Sequence, residues 1–210
     1  MIFYSVELNL AKFKNKPSSL SSMTTFVIEH LEPRMYPWCL LEYKHISQIV
    51  GKGNLIFTNV KKGAEKLKKL GEVKKESVKD LKLQKACILD PSAKKLLTPK
   101  EAKKFDYFIF GGILGDNPQR FRTKRDLTSK LKLPAFNLGP KQMSTDTAVY
   151  VTKKIIDGIP LEKLKFVEEI EFEDKDGCFV GLPFRYVIED GKTVMAKGLR
   201  EFVLKHQRLI

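Results

Sequence analysis

One stretch constrains this chain more than any other: residues 105–116, FDYFIFGGILGD. Tyr107 to Phe110 is an aromatic and β-branched run of strand length without polar alternation, which suits a strand covered on both faces rather than a surface strand. Gly111 and Gly112 then break the run, and Gly115 follows in the turn. Residues without a Cβ let a ligand approach the main chain, and in open α/β sheets ligands sit at the carboxyl ends of strands. The turn, closed by the carboxylate of Asp116, is the first candidate site, although a tight turn with no ligand would use the same glycines. Phe110 stands where a dinucleotide fingerprint needs its first glycine, and no G-x-x-x-x-G-K-[ST] occurs, which argues against nicotinamide and P-loop chemistry.

The same grammar repeats along the chain. Phe26 to Ile28 predicts a buried strand ending near Glu29 and His30, followed by a proline-marked loop and a helix from Trp38 to Val50. Glu29, Glu32 and Glu42 are acids near that strand's carboxyl end. Leu55 to Val60 predicts a second strand, and the lysine-dominated stretch 61–85 predicts short helices with a solvated basic face. Ala86 to Leu89 is a third short strand, halted by Asp90 and Pro91 ahead of a helical segment from Ser92. A helix near Thr123 to Leu131 leads to a strand at Pro134 to Leu138, then to the loop GPKQMSTDTA, where Ser144 or Thr145 caps a helix whose apolar positions Ala148, Val151 and Ile155 repeat with helical spacing. Strand, polar glycine loop and helix in repetition predict an α/β sheet. Beyond Gly158, strands are expected at Phe166 to Phe172, Pro183 to Glu189 and Thr193 to Ala196, the last two forming a hairpin around Asp190 and Gly191, with a final helix near Leu199 to His206.

Composition narrows the class. The chain has 210 residues and 42% hydrophobic content, enough for one substantial core. Residues 1–22 are turn-rich towards Pro17 to Ser22 and precede a second methionine, Met23; they are expected to form a flexible extension outside a single domain over 23–210. No apolar run of about 18 residues occurs, so no membrane association is expected, and the start lacks a secretory signal; a cytoplasmic protein follows. Cys39, Cys87 and Cys178 are dispersed without a C-x-x-C pair, and His30, His45 and His206 form no ligand pair, so no metal is expected. The net charge of +14 favours a polyanionic partner such as RNA or a ribonucleoprotein, although a lysine-rich proteome gives the same excess.

Taken together, IEH and CLLEY near the start, ILDP before the central strand, FDYFIFGGILGD, LGPKQMSTDTA and LPFRYV resemble the SPOUT-superfamily protein arginine methyltransferases known from fungi, with archaeal relatives. The resemblance runs from Thr25 to about Ala196. It implies a SPOUT-type sheet flanked by helices with a C-terminal deep trefoil knot, S-adenosyl-L-methionine as cofactor, a small-subunit ribosomal protein as acceptor with rRNA or ribosome proximity, and a monomer. The three loops after Leu89, Phe110 and Leu138 are then the cofactor's walls. Leu89, Ile113, Leu114, Leu138 and Met143 suit an apolar adenine slot. Asp90 and Pro91 close the first loop, while Gly111, Gly112, Gly115 and Gly139 permit close approach. Thr145, Thr147 and Lys141 are placed at the ribose and methionine end. Arginine acceptors demand carboxylates, because a sulfonium and a guanidinium of pKa about 12.5 to 13.8 must be brought together. Asp116, Glu29 and Glu42 are assigned that role, with Tyr36 or Trp38 as an aromatic face. The competing reading is a SPOUT-type RNA methyltransferase, for which Arg122 and Arg125 are the nearest basic groups.

Overall fold

The computed structural model describes residues 24–115 and 119–206; Asp116 and the expected extension 1–22 lie outside the described residues. A seven-stranded sheet forms the body. In chain order its strands are β1 (Thr25–His30), β2 (Leu55–Thr58), β3 (Glu72–Val73), β4 (Ala86–Leu89), β5 (Lys95–Leu96), β6 (Tyr107–Gly112) and β7 (Ala135–Asn137), arranged as β3-β2-β1-β6-β4-β7-β5. Every pairing in it is parallel. The apolar run of β6 lies at the middle, between β1 and β4, with Ile28 opposite Phe110 and Leu89 opposite Phe110 on the other side.

Alternate side chains go to opposite faces. Phe26, Ile28, Leu89, Phe108 and Phe110 join one core cluster, whereas Val27, Ile88 and Ile109 join another. The first face is covered by α1 (Pro37–Val50), through Cys39, Tyr43, Ile46 and Val50, and by α4 (Thr145–Ile156), through Val149, Val151 and Ile155. The second face is closed by Val78 and by Leu127, which sits in a single π-helical turn, Lys124–Thr128, rather than in the longer α-helix expected over 123–131. Two further helices are single turns, α2 (Ala64–Leu67) and α3 (Pro99–Ala102), so in place of the helical segment expected from Ser92 the chain makes a turn, the two-residue strand β5 and that single turn of helix. Pro91 and Pro99 bracket that segment, and a proline disfavours the helical conformation in the residue before it.

The C-terminal part forms a small lobe. The strand expected over 166–172 is two strands, β8 (Lys165–Val167) and β9 (Ile170–Glu173), which belong to different sheets. β9 pairs with β10 (Phe179–Leu182), and β8 pairs with β11 (Tyr186–Glu189), which forms the expected hairpin with β12 (Lys192–Thr193). Asp190, at φ 51, and Gly191, at φ 73, make its turn. α5 (Leu199–Lys205) completes the lobe, whose core of Phe172, Leu182, Phe184 and Tyr186 receives Trp38 and Leu41 from α1.

Candidate active site

The parallel arrangement brings the loops after β4, β6 and β7 to one end of the sheet, where they line two adjoining clefts of about 610 and 330 Å³ of empty space open to solvent. Leu89, Pro91, Met143 and Ala148 border both. Gly111, Ile113, Gly115 and Thr145 belong to the larger; Asp90, Leu138, Gly139 and Lys141 belong to the smaller. The three bends therefore share one hollow. Leu89, Phe110, Ile113 and Met143 give the larger cleft an apolar side that accepts a flat heterocycle, while Gln119, Arg120, Arg122 and Gln142 give it a polar, basic side. Gly139 holds φ at 101, a value that side-chain-bearing residues rarely adopt, and its N–H donates to Asn137 Oδ1 at 2.9 Å.

Three of the residues expected to hold the cofactor take no part in the lining. Gly112, the last residue of β6, faces α1, where an added Cβ would run into the Tyr43 hydroxyl. Leu114 packs against the main core while its N–H donates to Glu32 Oε1 at 3.0 Å. Thr147 is buried and bonded to Ser144 Oγ at 2.9 Å. Asp90 borders the smaller cleft, but its carboxylate is occupied: it accepts from Ser92 N and Oγ, each at 2.8 Å, and from Thr128 Oγ1 at 2.6 Å. It tethers the crossover between β6 and β7 to the end of β4.

The acids divide into two kinds. Glu29 is fully buried and its oxygens accept from Thr58 Oγ1 and Ser77 Oγ, both at 2.5 Å, and from Val78 N at 2.8 Å. Those bonds hold the turn that covers the second face of the sheet, so Glu29 is not brought to the clefts. Glu42 is different. It is buried on α1, accepts from Trp38 Nε1 at 2.9 Å, and meets Thr145 of the cleft wall. Desolvation, and then the negative charge of Asp146, push its carboxyl well above the ordinary range, while the bonds from Trp38 and Thr145 pull the other way. Asp146 in turn accepts from His45 at 2.7 Å and from Ser144 Oγ at 2.6 Å. Ser144 thus occupies the N-cap position of α4 while spending its hydroxyl on Asp146.

Neither aromatic candidate faces the clefts openly. Tyr36 carries Arg34 over its ring at 4.7 Å. The Trp38 ring packs edge-on against Phe202 of α5 at 5.9 Å, and only its N–H serves the acid cluster. Sequence reasoning missed Asp146, His45 and the clamp of Glu32, which accepts from Arg122 Nη1 at 2.8 Å. A signal for His45 existed: Trp38, Glu42 and His45 lie at i, i+4 and i+7, one face of a helix. Asp146 had none beyond the polar run STDT, which reads equally well as a cap.

A parallel sheet with a hollow at the carboxyl ends of its strands, backed by a buried pair of carboxyls, is the arrangement of an α/β protein that binds a ligand at that end of its sheet. The chain belongs to the SFM1-like protein arginine N-methyltransferase family, whose model matches residues 25–208. It is 40% identical over 200 residues to protein arginine N-methyltransferase SFM1 of Saccharomyces cerevisiae, covering 86% of this chain and 94% of that protein. Its structure is similar to the yeast arginine methyltransferase SFM1 complexed with SAH, with a TM-score of 0.79 at 37% identity, over 87% of this chain and 95% of that one. A dual specific Trm10 from Thermococcus kodakaraensis shares the fold at a TM-score of 0.52 and 13% identity, over 67% of this chain and 96% of that one.

Proposed function

We propose that this protein transfers a methyl group from S-adenosylmethionine to an arginine side chain of a small-subunit ribosomal protein. Family membership supports the reaction class, and the yeast SFM1 structures complexed with SAM and SAH support the donor. The observation that carries the acceptor is the buried Glu42–Asp146 pair beside Thr145. Two carboxyls held next to one another without a cation bonded to Glu42 are costly to ionise together, and a guanidinium entering beside them relieves that cost.

The hollow suits the donor on its own chemistry: Leu89, Leu138 and Met143 for the adenine, Gly111 and Gly115 where a Cβ would intrude on Ile113 or Phe184, and Lys141 for a carboxylate. When bound, S-adenosylmethionine supplies an electrophilic methyl on a sulfonium. Glu42 orients the planar guanidinium through its carboxylate and draws positive charge away from the attacking nitrogen. Asp146, fixed by His45 and Ser144, keeps negative potential behind it, and the nitrogen gives its proton to the Glu42 carboxylate as it takes the methyl from the sulfonium, whose S–C bond breaks to leave a neutral thioether. Asp116, which follows Gly115 in the sequence, is a further acid of this reading. The trefoil knot belongs to the same reading. Residues 142–145 are bracketed between Ile113, whose carbonyl lies 3.5 Å from Thr145 Oγ1, and Arg185, whose N–H donates to Gln142 O at 2.8 Å.

Incubating the protein with radiolabelled S-adenosylmethionine and small ribosomal subunits is expected to label a protein band. Glu42→Gln and Asp116→Asn should each lower the rate on the order of a hundredfold, the scale of losing one charged group that stabilises a transition state. Label recovered only in RNA would overturn the acceptor assignment.

A further inference from the structure

Because every pairing in the main sheet is parallel, the segments that lead into its strands meet at one end, opposite the clefts. Lysines crowd that end. Lys68 and Lys69 precede β3, Lys82 and Lys85 precede β4, and Lys130 and Lys132 precede β7, all of them exposed. Lys52 ahead of β2, with Lys103 and Lys104 ahead of β6, fills the row between them. The register keeps the starts level: Ala86 and Thr25 both stand beside Tyr107, and Phe26 stands beside Leu55. With five spacings of roughly 4.8 Å from β3 to β7, the row extends about 24 Å.

Acids offset only part of this charge. The segments 51–54, 68–71, 81–85 and 129–134 contain no acid. Two lysines of the row are paired, Lys104 with Glu101 at 2.7 Å and Lys85 with Asp106 at 3.7 Å, while Glu72 pairs with Lys74 outside the row at 2.6 Å. Acids gather instead in the small lobe, as in the run from Glu168 to Asp174.

We propose that this lysine row is a docking surface for the phosphate backbone of RNA, separate from the methyl-transfer clefts. A line of point charges about 24 Å long matches a linear polyanion better than a compact anion. Lysines bind phosphate without the bidentate fork that reads guanine edges, so the contact is independent of base sequence. The surface also answers a problem that the acceptor chemistry raises: a chain of +14 repels a basic acceptor protein, and RNA held at its far end offsets that repulsion when acceptor and RNA share one particle. The proposal does not depend on which group is methylated.

The test is fluorescence anisotropy with a labelled RNA hairpin over a salt series. In one variant Lys68, Lys69, Lys82, Lys85, Lys130 and Lys132 are replaced by Gln; in a control of equal net charge Lys163, Lys165, Lys175, Lys192, Lys197 and Lys205 are replaced. The first set should weaken binding and flatten the slope of log affinity against log salt by roughly 0.7 to 0.9 for each phosphate no longer neutralised, on the order of four to five in all, while the control keeps its slope. Should the sixfold variant fold poorly, each pair replaced alone should show roughly a third of that change. Equal losses in both sets, no hairpin binding by the unaltered protein at low salt, or row-dependent capture of anionic vesicles or polyglutamate in place of the hairpin would each overturn the proposal. Methylation of a short arginine peptide should be unchanged in the row variant, which separates failure here from failure of the arginine reading.

Discussion

Glu42 shows how a residue's surroundings convert into a measurable property. Among the described residues its hydrogen-bond donors are the neutral Trp38 and Thr145, while its nearest charged neighbour is the acid Asp146. Burial and that negative charge hold the Glu42 carboxyl above its ordinary value of 4.5. A carboxyl with a raised folded pKa binds its proton more tightly in the folded state than in the unfolded chain. Its contribution to stability is therefore present below about 4.5 and is lost as pH rises through the folded value. Urea unfolding followed from pH 4.5 upward should show stability falling with pH, and Glu42→Gln should flatten that fall. A fall that Glu42→Gln leaves unchanged would show that Glu42 is not the group holding the proton. The sequence placed Glu29 and Glu42 near the strand's carboxyl end on equal terms. What separates them is partners from residues 58, 77 and 78 for one and from 145 and 146 for the other, contacts that no local pattern encodes.

At the scale of elements, the crossover from β6 to β7 is positioned by two acids that are not themselves part of it. Glu32 accepts from Leu114 N at 3.0 Å and from Arg122 Nη1 at 2.8 Å, and Arg122 Nη2 donates to Leu31 O at 3.2 Å, so one carboxylate joins both ends of the segment that walls the larger cleft. Glu32→Ala leaves an N–H and a guanidinium without their acceptor, at a cost of about 1–3 kcal/mol. Calorimetry with S-adenosylmethionine should show a dissociation constant raised at least tenfold, with the rate at saturating donor largely kept; an unchanged dissociation constant would remove Glu32 from this role. The long helices were legible, because α1 and α4 repeat apolar residues with helical spacing over 14 and 12 residues. The short elements were not. One expected strand over 166–172 became β8 and β9, which turn at Glu168 and Glu169 into different sheets, and β10 passed unread because Gly181 interrupts its apolar run. Strands of three or four residues take their identity from the partner they pair with more than from propensity.

Across the whole molecule, α1 is the joint between the parallel body and the small lobe. Its Cys39, Tyr43 and Ile46 pack into the body, while Trp38 and Leu41 pack into the lobe against Phe202 and its neighbours. Trp38 is the chain's single tryptophan, so its fluorescence reports on that joint. If body and lobe unfold as one unit, tryptophan emission and far-ultraviolet circular dichroism should give coincident urea transitions; an emission change well before the loss of dichroism would show that the lobe detaches first. The amino-acid sequence by itself determined the α/β class, the buried central strand and the three glycine- or proline-broken loops, because each rests on neighbours in the chain and on the periods of strand and helix. Which loops share a hollow, which acid stands beside it, and that the lysines of separate segments line up at the opposite end were decided only by the tertiary structure. Strand order and parallel register bring together residues a hundred positions apart, as with His45 and Asp146, and no local preference of either residue contains that pairing.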